Sequence, residues 1–511
     1  MKELPKSSGN IVMIENKISI EKKFKPRYII SKKNIVGTFF IFFVGIINGL
    51  CVANEKLGAI VGVVTGTLLV FILIKKGMKH YFLSLIFFLS VSLENAVFFT
   101  GSQGGNLYNF LNLPVIGGYH IYCYIVIPLG YILYNRKLKG LYGKSNARDY
   151  IVWISFFVFT GIAMAIINIA NNTNGILQSE IFLTYFRRDI LRYVSMLLIS
   201  LYLFYFLQND DTFSQDLERL LFVLLVSAFP VMLTLAGSHI NGYYGSYAVI
   251  PIGYYTFFGV YLVLFPFYDN QKYRYLCLMC GTGIILLTLK YPSPFGGKWW
   301  LLIMSLPVAI IYLFPSQSVK KKITILLLTI IAMIAGGTMI GYLIKVSSGQ
   351  SIYKLYDALG VLKIWEEDWY YRLQNSPRYR IDEFVNVFLN IKERLSSLIF
   401  GNGFGGNIKK VIGLSDWSSI TAFSAGEVSE GLYFNMHETI NTILMKFGLV
   451  GIFFYFKIIL RVLKKAMRSF WLIPGGVWFL FFFQSYNSLW FGLCCLILGF
   501  YQMDEENNDN R

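Results

Sequence analysis

The sequence is short of most of what a soluble enzyme carries. Only 14% of its 511 residues are charged, and only four are histidine. Its six cysteines (Cys51, Cys123, Cys277, Cys280, Cys494 and Cys495) all lie within or beside apolar runs. Cys277 and Cys280 have CxxC spacing but no partner pair, so neither a disulfide framework nor a zinc site is implied and packing is their expected role. No GK[ST] follows the glycines of "GNGFGGN", which excludes a nucleotide P-loop there. The first thirty residues are polar and basic and lack a small-residue cleavage site after a short apolar core. A cleavable signal peptide is therefore not expected, and the first span doubles as the targeting signal. The alternating segments of about ten residues that build an outer-membrane barrel are missing as well.

What is present is apolar length. The chain is 55% hydrophobic and 17% aromatic, with many uninterrupted runs long enough to cross a bilayer, so the expected fold is an all-α polytopic membrane protein. Spans are expected near 34–52, 57–74, 81–99, 119–134, 150–170, 190–207, 219–236, 248–268, 275–290, 299–314, 323–345 and 432–460. The 470–501 stretch, broken at "IPGG" and "QSYNS", reads as two short ones more, giving about 12–14 transmembrane helices. The net charge of +18 gathers in connections such as "KKGMKH", "NRKLKGLYGKSNAR" and "RVLKKAMR". Orientation explains that charge without nucleic acid: a cytoplasmic N-terminus puts these basic connections inside.

The expected organisation is a basic cytoplasmic tail (1–33), a bundle of about 11 spans (34–345), one large and partly helical external cap loop (346–431), C-terminal spans (432–501) and a cytoplasmic tail (502–511). The stretch "DWYYRLQNSPRYRIDEFVNVFLNIKERLSSLIF" in the cap reads as helical with an apolar face.

Basic residues on the expected external side break the positive-inside trend. Arg187, Arg188 and Arg192 fall at the outer end of one span, with Arg188 and Arg192 on one helix face; Asp189 and Glu180 are available as structural partners. Lys298 lies beside a tight external turn, where snorkelling to the interface is the alternative. Arg378 and Arg380 lie in the cap. A set of arginines suits a pyrophosphate, because guanidinium forks match phosphate oxygens and keep their charge. The glycines of "GNGFGGN" (Gly401, Gly403, Gly405 and Gly406) read first as a turn needing positive φ and only second as an anion cradle. His437 stands at the external start of the last long span, suited to accept a proton from a sugar hydroxyl, with a buried core histidine as the bland alternative.

"RIDEFVNVFLNIKERLSSLIFGNGFG" followed by "HETINTILMKFGLVGIFFYF" resembles the hallmark stretch of the O-antigen ligase/polymerase family. Arg380 with Phe384, then Gly401, Gly403 and Gly405, then His437, Leu444, Gly448, Leu449 and Gly451 fall on its pattern, over about a sixth of the chain. Glu438 departs from the family's usual asparagine, and Lys298 stands where members often carry Ser-Arg-Gly. The resemblance implies a membrane-embedded inverting glycosyltransferase in the bacterial inner membrane, its active site on the periplasmic face. Its donor would be an undecaprenyl-pyrophosphate-linked glycan, with no nucleotide sugar, metal or other cofactor. His437 would be catalytic; Arg380 and one of Arg187, Arg188 or Arg192 would bind the pyrophosphate. Polymerisation of O-antigen, capsule or exopolysaccharide repeats and ligation to lipid A-core both fit, with a chain-length regulator and a flippase as expected partners. A flippase or exporter of lipid-linked oligosaccharide is the alternative from another class.

Overall fold

The computed structural model describes residues 55–91, 120–135, 145–172, 176–177, 179–236, 240–242, 245–247, 259, 261–262, 274–290, 324, 365–373, 375–413, 415–417, 423–436, 438–466, 468–483 and 489–509. The protein is mostly helical with little sheet. Among the described residues three helices are long and apolar enough to cross a membrane, starting at Asp149, Phe182 and Thr439. The spans expected near 34–52, 299–314 and 323–345 lie outside the described residues or nearly so, and so does most of 248–268.

In chain order the helices are α1 (Glu55–Lys76), α2 (Met78–Val91), α3 (His120–Tyr134), α4 (Ser145–Ala170), α5 (Phe182–Asn209), α6 (Phe213–Ala236) and α7 (Arg274–Lys290). A short hairpin, β1 (Ile240–Gly242) and β2 (Gly245–Tyr247), follows α6. The segment before the last long span holds α8 (Trp369–Arg372), α9 (Asn375–Ile391), α10 (Leu395–Phe400), β3 (Ile408–Lys409), α11 (Ala425–Glu430) and β4 (Leu432–Tyr433). Strands β3 and β4 pair antiparallel, Ile408 opposite Tyr433. The chain then forms α12 (Thr439–Lys465), α13 (Leu472–Val477), a π-helical turn at Trp478–Phe482, and α14 (Leu489–Asp509).

Several boundaries differ from the sequence expectation: α12 starts at Thr439 and not at 432, where β4 stands, and α6 starts at Phe213, ahead of 219. Two differences have local reasons. Helix α5 begins at Phe182, eight residues ahead of the apolar run, because a carboxylate from elsewhere caps it. The Glu430 side chain accepts from the backbone N–H of Glu180 (3.0 Å) and of Ile181 (3.3 Å), as an anion at a helix N-terminus should. The "IPGG" stretch does not break the chain but lies inside α13. Pro474 sits in the first turn, where its missing N–H is not needed, and Gly475 lets α14 approach, since a Cβ there would stand 2.6 Å from the Leu496 nitrogen. Helix α14 also runs on to Asp509.

Helix α14 is buried along most of its apolar length and packs against α2, α4, α5, α6 and α13. Aromatic rings fill the space around it: Trp153 meets Phe479 with centroids 4.6 Å apart, and Phe157 meets Phe447 edge-on at 4.4 Å. At one end of the bundle Lys79 pairs with Asp210 (3.1 Å) and Asp216 (2.6 Å), Arg461 pairs with Asp149 (2.5 Å), and the Trp471 indole donates to Glu218 (3.0 Å). Those contacts join connections that the alternation of basic loops puts on one side. At the other end, residues 379–445 enclose a smaller core of Val387, Ile391, Ile408, Trp417, Phe423, Tyr433, Met436 and Leu444.

That second module is fastened by a tightly turned loop. Residues 401–407 drop between α4, α5 and α12, and their backbone is buried. Helix α12 is interrupted at Gly448 (φ 63°, ψ −157°), and the loop takes up carbonyls near the break: Asn402 N–H donates to Met445 O (2.7 Å) and Gly403 N–H to Lys446 O (2.9 Å). Phe404 N–H donates to Gly161 O (2.9 Å) on α4. Gly403 has φ 73°, and a Cβ there would lie 2.4 Å from the Ala165 nitrogen. Gly403→Ala is therefore expected to lose about 1–2 kcal/mol from the left-handed backbone alone, with the backbone clash added. A lowered melting temperature of the detergent-solubilised protein, and lower membrane abundance, check this.

Candidate functional site

The glycine loop answers the question its composition raised. Its amides at Asn402, Gly403 and Phe404 donate to backbone carbonyls, Gly406 N–H donates to Gly403 O (3.1 Å), and Gly405 N–H donates to Asp189 Oδ2 (2.9 Å). Every one of those donors is spent inside the protein, so the loop acts as a packed turn and not as an anion cradle. Asn168 on α4 adds a bond to Asn402 O (2.8 Å), which closes the loop from the other side.

Asp189 opens the interior polar site. It is 1% exposed on α5 and forms an ion pair through Oδ1 with Lys446, 0% exposed on α12; both are within bonding reach of each other. Each carboxylate oxygen thus has a partner, as burial of a charge demands. The guanidinium groups of Arg188 and Arg192 act electrostatically on the same ammonium. Arg192 is buried, Arg188 half-buried and Arg187 exposed. The sequence placed Arg187, Arg188 and Arg192 in a group and offered Asp189 as their partner. The structure adds Lys446, which hydropathy gave no reason to single out beyond its position in an apolar run.

A second site forms where the cap meets α12. The Arg380 guanidinium pairs with the Glu438 carboxylate, each partly exposed. Glu438 is the N-cap residue of α12, where the helix dipole favours its charge. Asn441, one turn into α12, donates to Arg380 O (3.1 Å) and lies 3.5 Å from the buried Glu383. Met436 N–H donates to Thr442 Oγ1 (3.3 Å). The described neighbours of position 437 are thus both fixed. His437 itself and Lys298 lie outside the described residues.

Lys446 follows Glu438 by eight residues of helix, about 12 Å along the axis. The cations therefore occupy two levels, one at the start of α12 and one two turns deeper. Arg378 belongs to neither. Its guanidinium donates to Tyr371 O (2.8 Å) and Leu373 O and stacks 5.9 Å above the Tyr370 ring, so it clamps the turn after α8.

Acidic side chains tie the cap to the bundle. Buried Glu427 forms a capping box with Ser424 and also accepts from the Tyr185 hydroxyl (2.7 Å) and the Phe434 N–H (2.9 Å). Burial first, then the charges of Glu427 and Asp416, raise the Tyr433 hydroxyl above its ordinary value, so it remains a neutral phenol at physiological pH. The S-x-x-E spacing of "SAGE" is a capping-box signal that the sequence reading passed over; the partner on α5 has no such signal.

Comparison with protein-family models and with curated proteins finds no match to this chain.

Breaking the buried pair tests its energetics. Asp189→Asn keeps an acceptor for Gly405 but strands an ammonium beside two guanidiniums, and should cost about 3–5 kcal/mol. The double variant Asp189→Asn/Lys446→Met should recover much of that loss. A double-mutant cycle read by thermal unfolding in detergent measures the coupling, and additive losses would show that the two side chains act independently.

Proposed function

We propose that the protein is a membrane-embedded inverting glycosyltransferase, transferring a glycan from undecaprenyl pyrophosphate to an acceptor sugar hydroxyl and thereby polymerising repeat units of a surface polysaccharide. The observation that carries this reading is the interlocking of the two motif halves. The "GNGFG" turn inserts at the Gly448 interruption of α12, and Arg380 reaches Glu438 next to His437. Residues between 43 and 58 positions apart in sequence thus meet along the first three turns of one helix.

The chemistry asks for little. A pyrophosphate is already a good leaving group, so the protein must neutralise the charge that grows on it and take a proton from the attacking hydroxyl. In this reading the bond from the sugar anomeric carbon to the phosphate oxygen breaks as the acceptor oxygen attacks from the opposite face. His437 takes the acceptor's proton. Arg380, together with Arg187, Arg188 or Arg192, meets the pyrophosphate oxygens. Glu438 holds the Arg380 guanidinium until an anion competes for it, and the family's usual asparagine would not. Ligation to a lipid A-core acceptor needs the same residues and differs only in the acceptor.

The proposed setting is the bacterial cytoplasmic membrane, with the N-terminus inside and residues 346–431 outside. In intact cells a membrane-impermeant thiol reagent should label a cysteine at Asp416 and spare one at Asp211, both exposed positions, in a background lacking Cys51 and Cys123. The reverse pattern would move the site to the cytoplasmic face.

His437→Ala should lower polymer formed per unit of membrane-inserted protein by about 10²–10⁴-fold, with abundance unchanged. A structural histidine predicts the opposite split: lower abundance and intact specific activity. Arg380→Lys should keep the fold yet weaken donor use, because a point charge replaces a fork, whereas Glu438→Gln should raise the affinity for inorganic pyrophosphate. These are measured with lipid-linked repeat units supplied to the purified protein in vesicles. A flippase would leave such an assay without polymer even for the wild type.

A further inference from the structure

Helix α9 buries a mixed face and leaves an apolar one outside. Val387 and Ile391 are buried with Asp382, Glu383 and Asn386, while Phe384 is 46% and Phe388 43% exposed, flanked by half-buried Ile381 and Val385. A helix whose outer face meets only water carries polar residues there.

The polar part of that inward face is fully used. Asp382 accepts from the Tyr370 hydroxyl and from Ser415 N–H (3.2 Å). The Asn386 amide donates to Ile412 O (2.7 Å) and accepts from Val411 and Ile412 N–H (2.6 and 3.0 Å), and Asn390 makes the same paired exchange with Lys409 (2.8 and 3.0 Å). These side chains, four residues apart along one stripe, act as an extra strand edge for residues 409–412. The orientation of α9 is therefore fixed by hydrogen bonds, and the phenylalanines point outward as a consequence.

We infer that the outward face of α9 lies in the hydrocarbon of the membrane, its occupant the acyl chains of bilayer phospholipid. The lipid-facing surface of α12 is the reason for that choice over other occupants. Helix α10 packs against α12 where Gly448 meets Ile399, and from that point α12 exposes Leu449, Phe453 and Phe456 along its apolar length. Helix α9 packs against both α10 and α12, and α10 exposes Leu395 and Phe400. Exposed Lys392 and Arg394 close the stripe, where their long stems let the charges reach lipid phosphates. The cap is thus not wholly aqueous: its longest helix lies along the membrane edge. Arg380, one helical turn before Phe384, then sits at phosphate depth. That last consequence gains its meaning from the proposed lipid-linked donor, whereas the burial of Phe384 and Phe388 in lipid does not depend on it.

Photo-crosslinking tests the placement without reference to activity. p-Benzoylphenylalanine is introduced singly at Phe384, Phe388, Phe453 and Asp416, and the protein is irradiated in vesicles of phosphatidylethanolamine and phosphatidylglycerol. Phe453 serves as the lipid-facing control and exposed Asp416, away from the stripe in sequence, as the water-facing one. Phospholipid adducts at Phe384 and Phe388 should match the yield at Phe453 and exceed that at Asp416 several-fold by mass spectrometry. Yields at the Asp416 level with Phe453 labelled would overturn the inference. So would a crosslink to a second copy of the chain, which would make the face a dimer contact, or one to another segment of the same chain.

Discussion

Inside a bilayer every backbone polar group must find its partner within the protein, and among the described residues the interruption of α12 at Gly448 raises that demand in the middle of a long apolar helix. A break in a long apolar helix frees carbonyls that no water can reach. The 401–407 loop takes them, and in doing so it is itself fixed in place by α4, through Gly161 and Asn168, and by α5, through Asp189. Three helices and the cap thus share one set of hydrogen bonds. Gly401, Gly403 and Gly448 are small because backbone meets backbone there: a Cβ on Gly401 would lie 2.2 Å from the Lys446 carbonyl carbon. Removing any one partner would leave a polar group buried without compensation.

The Asp189–Lys446 pair belongs to the same assembly. Its carboxylate bonds the loop through one oxygen and the ammonium of α12 through the other, so the pair sets the depth at which α12 and the loop engage. Such a pair adds little net stability over an apolar replacement but strongly disfavours any arrangement that separates its members. The glycine loop, the break and the ion pair therefore act together as a registry device. The start of α12, eight residues earlier, inherits a defined position from them. Arg380 and Glu438 meet on that fixed ground, and the reading of this end of the bundle as a catalytic centre rests on the fixity as much as on the charges.

The cap shows how misleading amphipathicity becomes when both lipid and water are solvents. An apolar stripe on the 375–391 helix reads naturally as the face that packs inward. Polar residues pack inward beside Val387 and Ile391, because residues 409–412 need hydrogen-bond partners that Asn386 and Asn390 supply. Phe384 and Phe388 are then left for the membrane.

Composition and run length by themselves pointed to the membrane class, the helical fold and the position of the long apolar helices among the described residues, because transfer of apolar side chains from water depends on sequence-local length and not on neighbours. The turn at "GNGFGGN" was legible for the same reason, since positive φ is a local demand; the S-x-x-E spacing of "SAGE" is a local signal too, but it was passed over. The partners of those features were not legible. That Gly405 bonds Asp189, that Glu430 starts α5 eight residues early, that Lys446 lies buried against a carboxylate 257 positions away and that α9 turns Asp382 and Asn386 inward are decided by which elements meet. A buried charge or amide is stable only beside its complement, and only the folded chain brings the complement into reach.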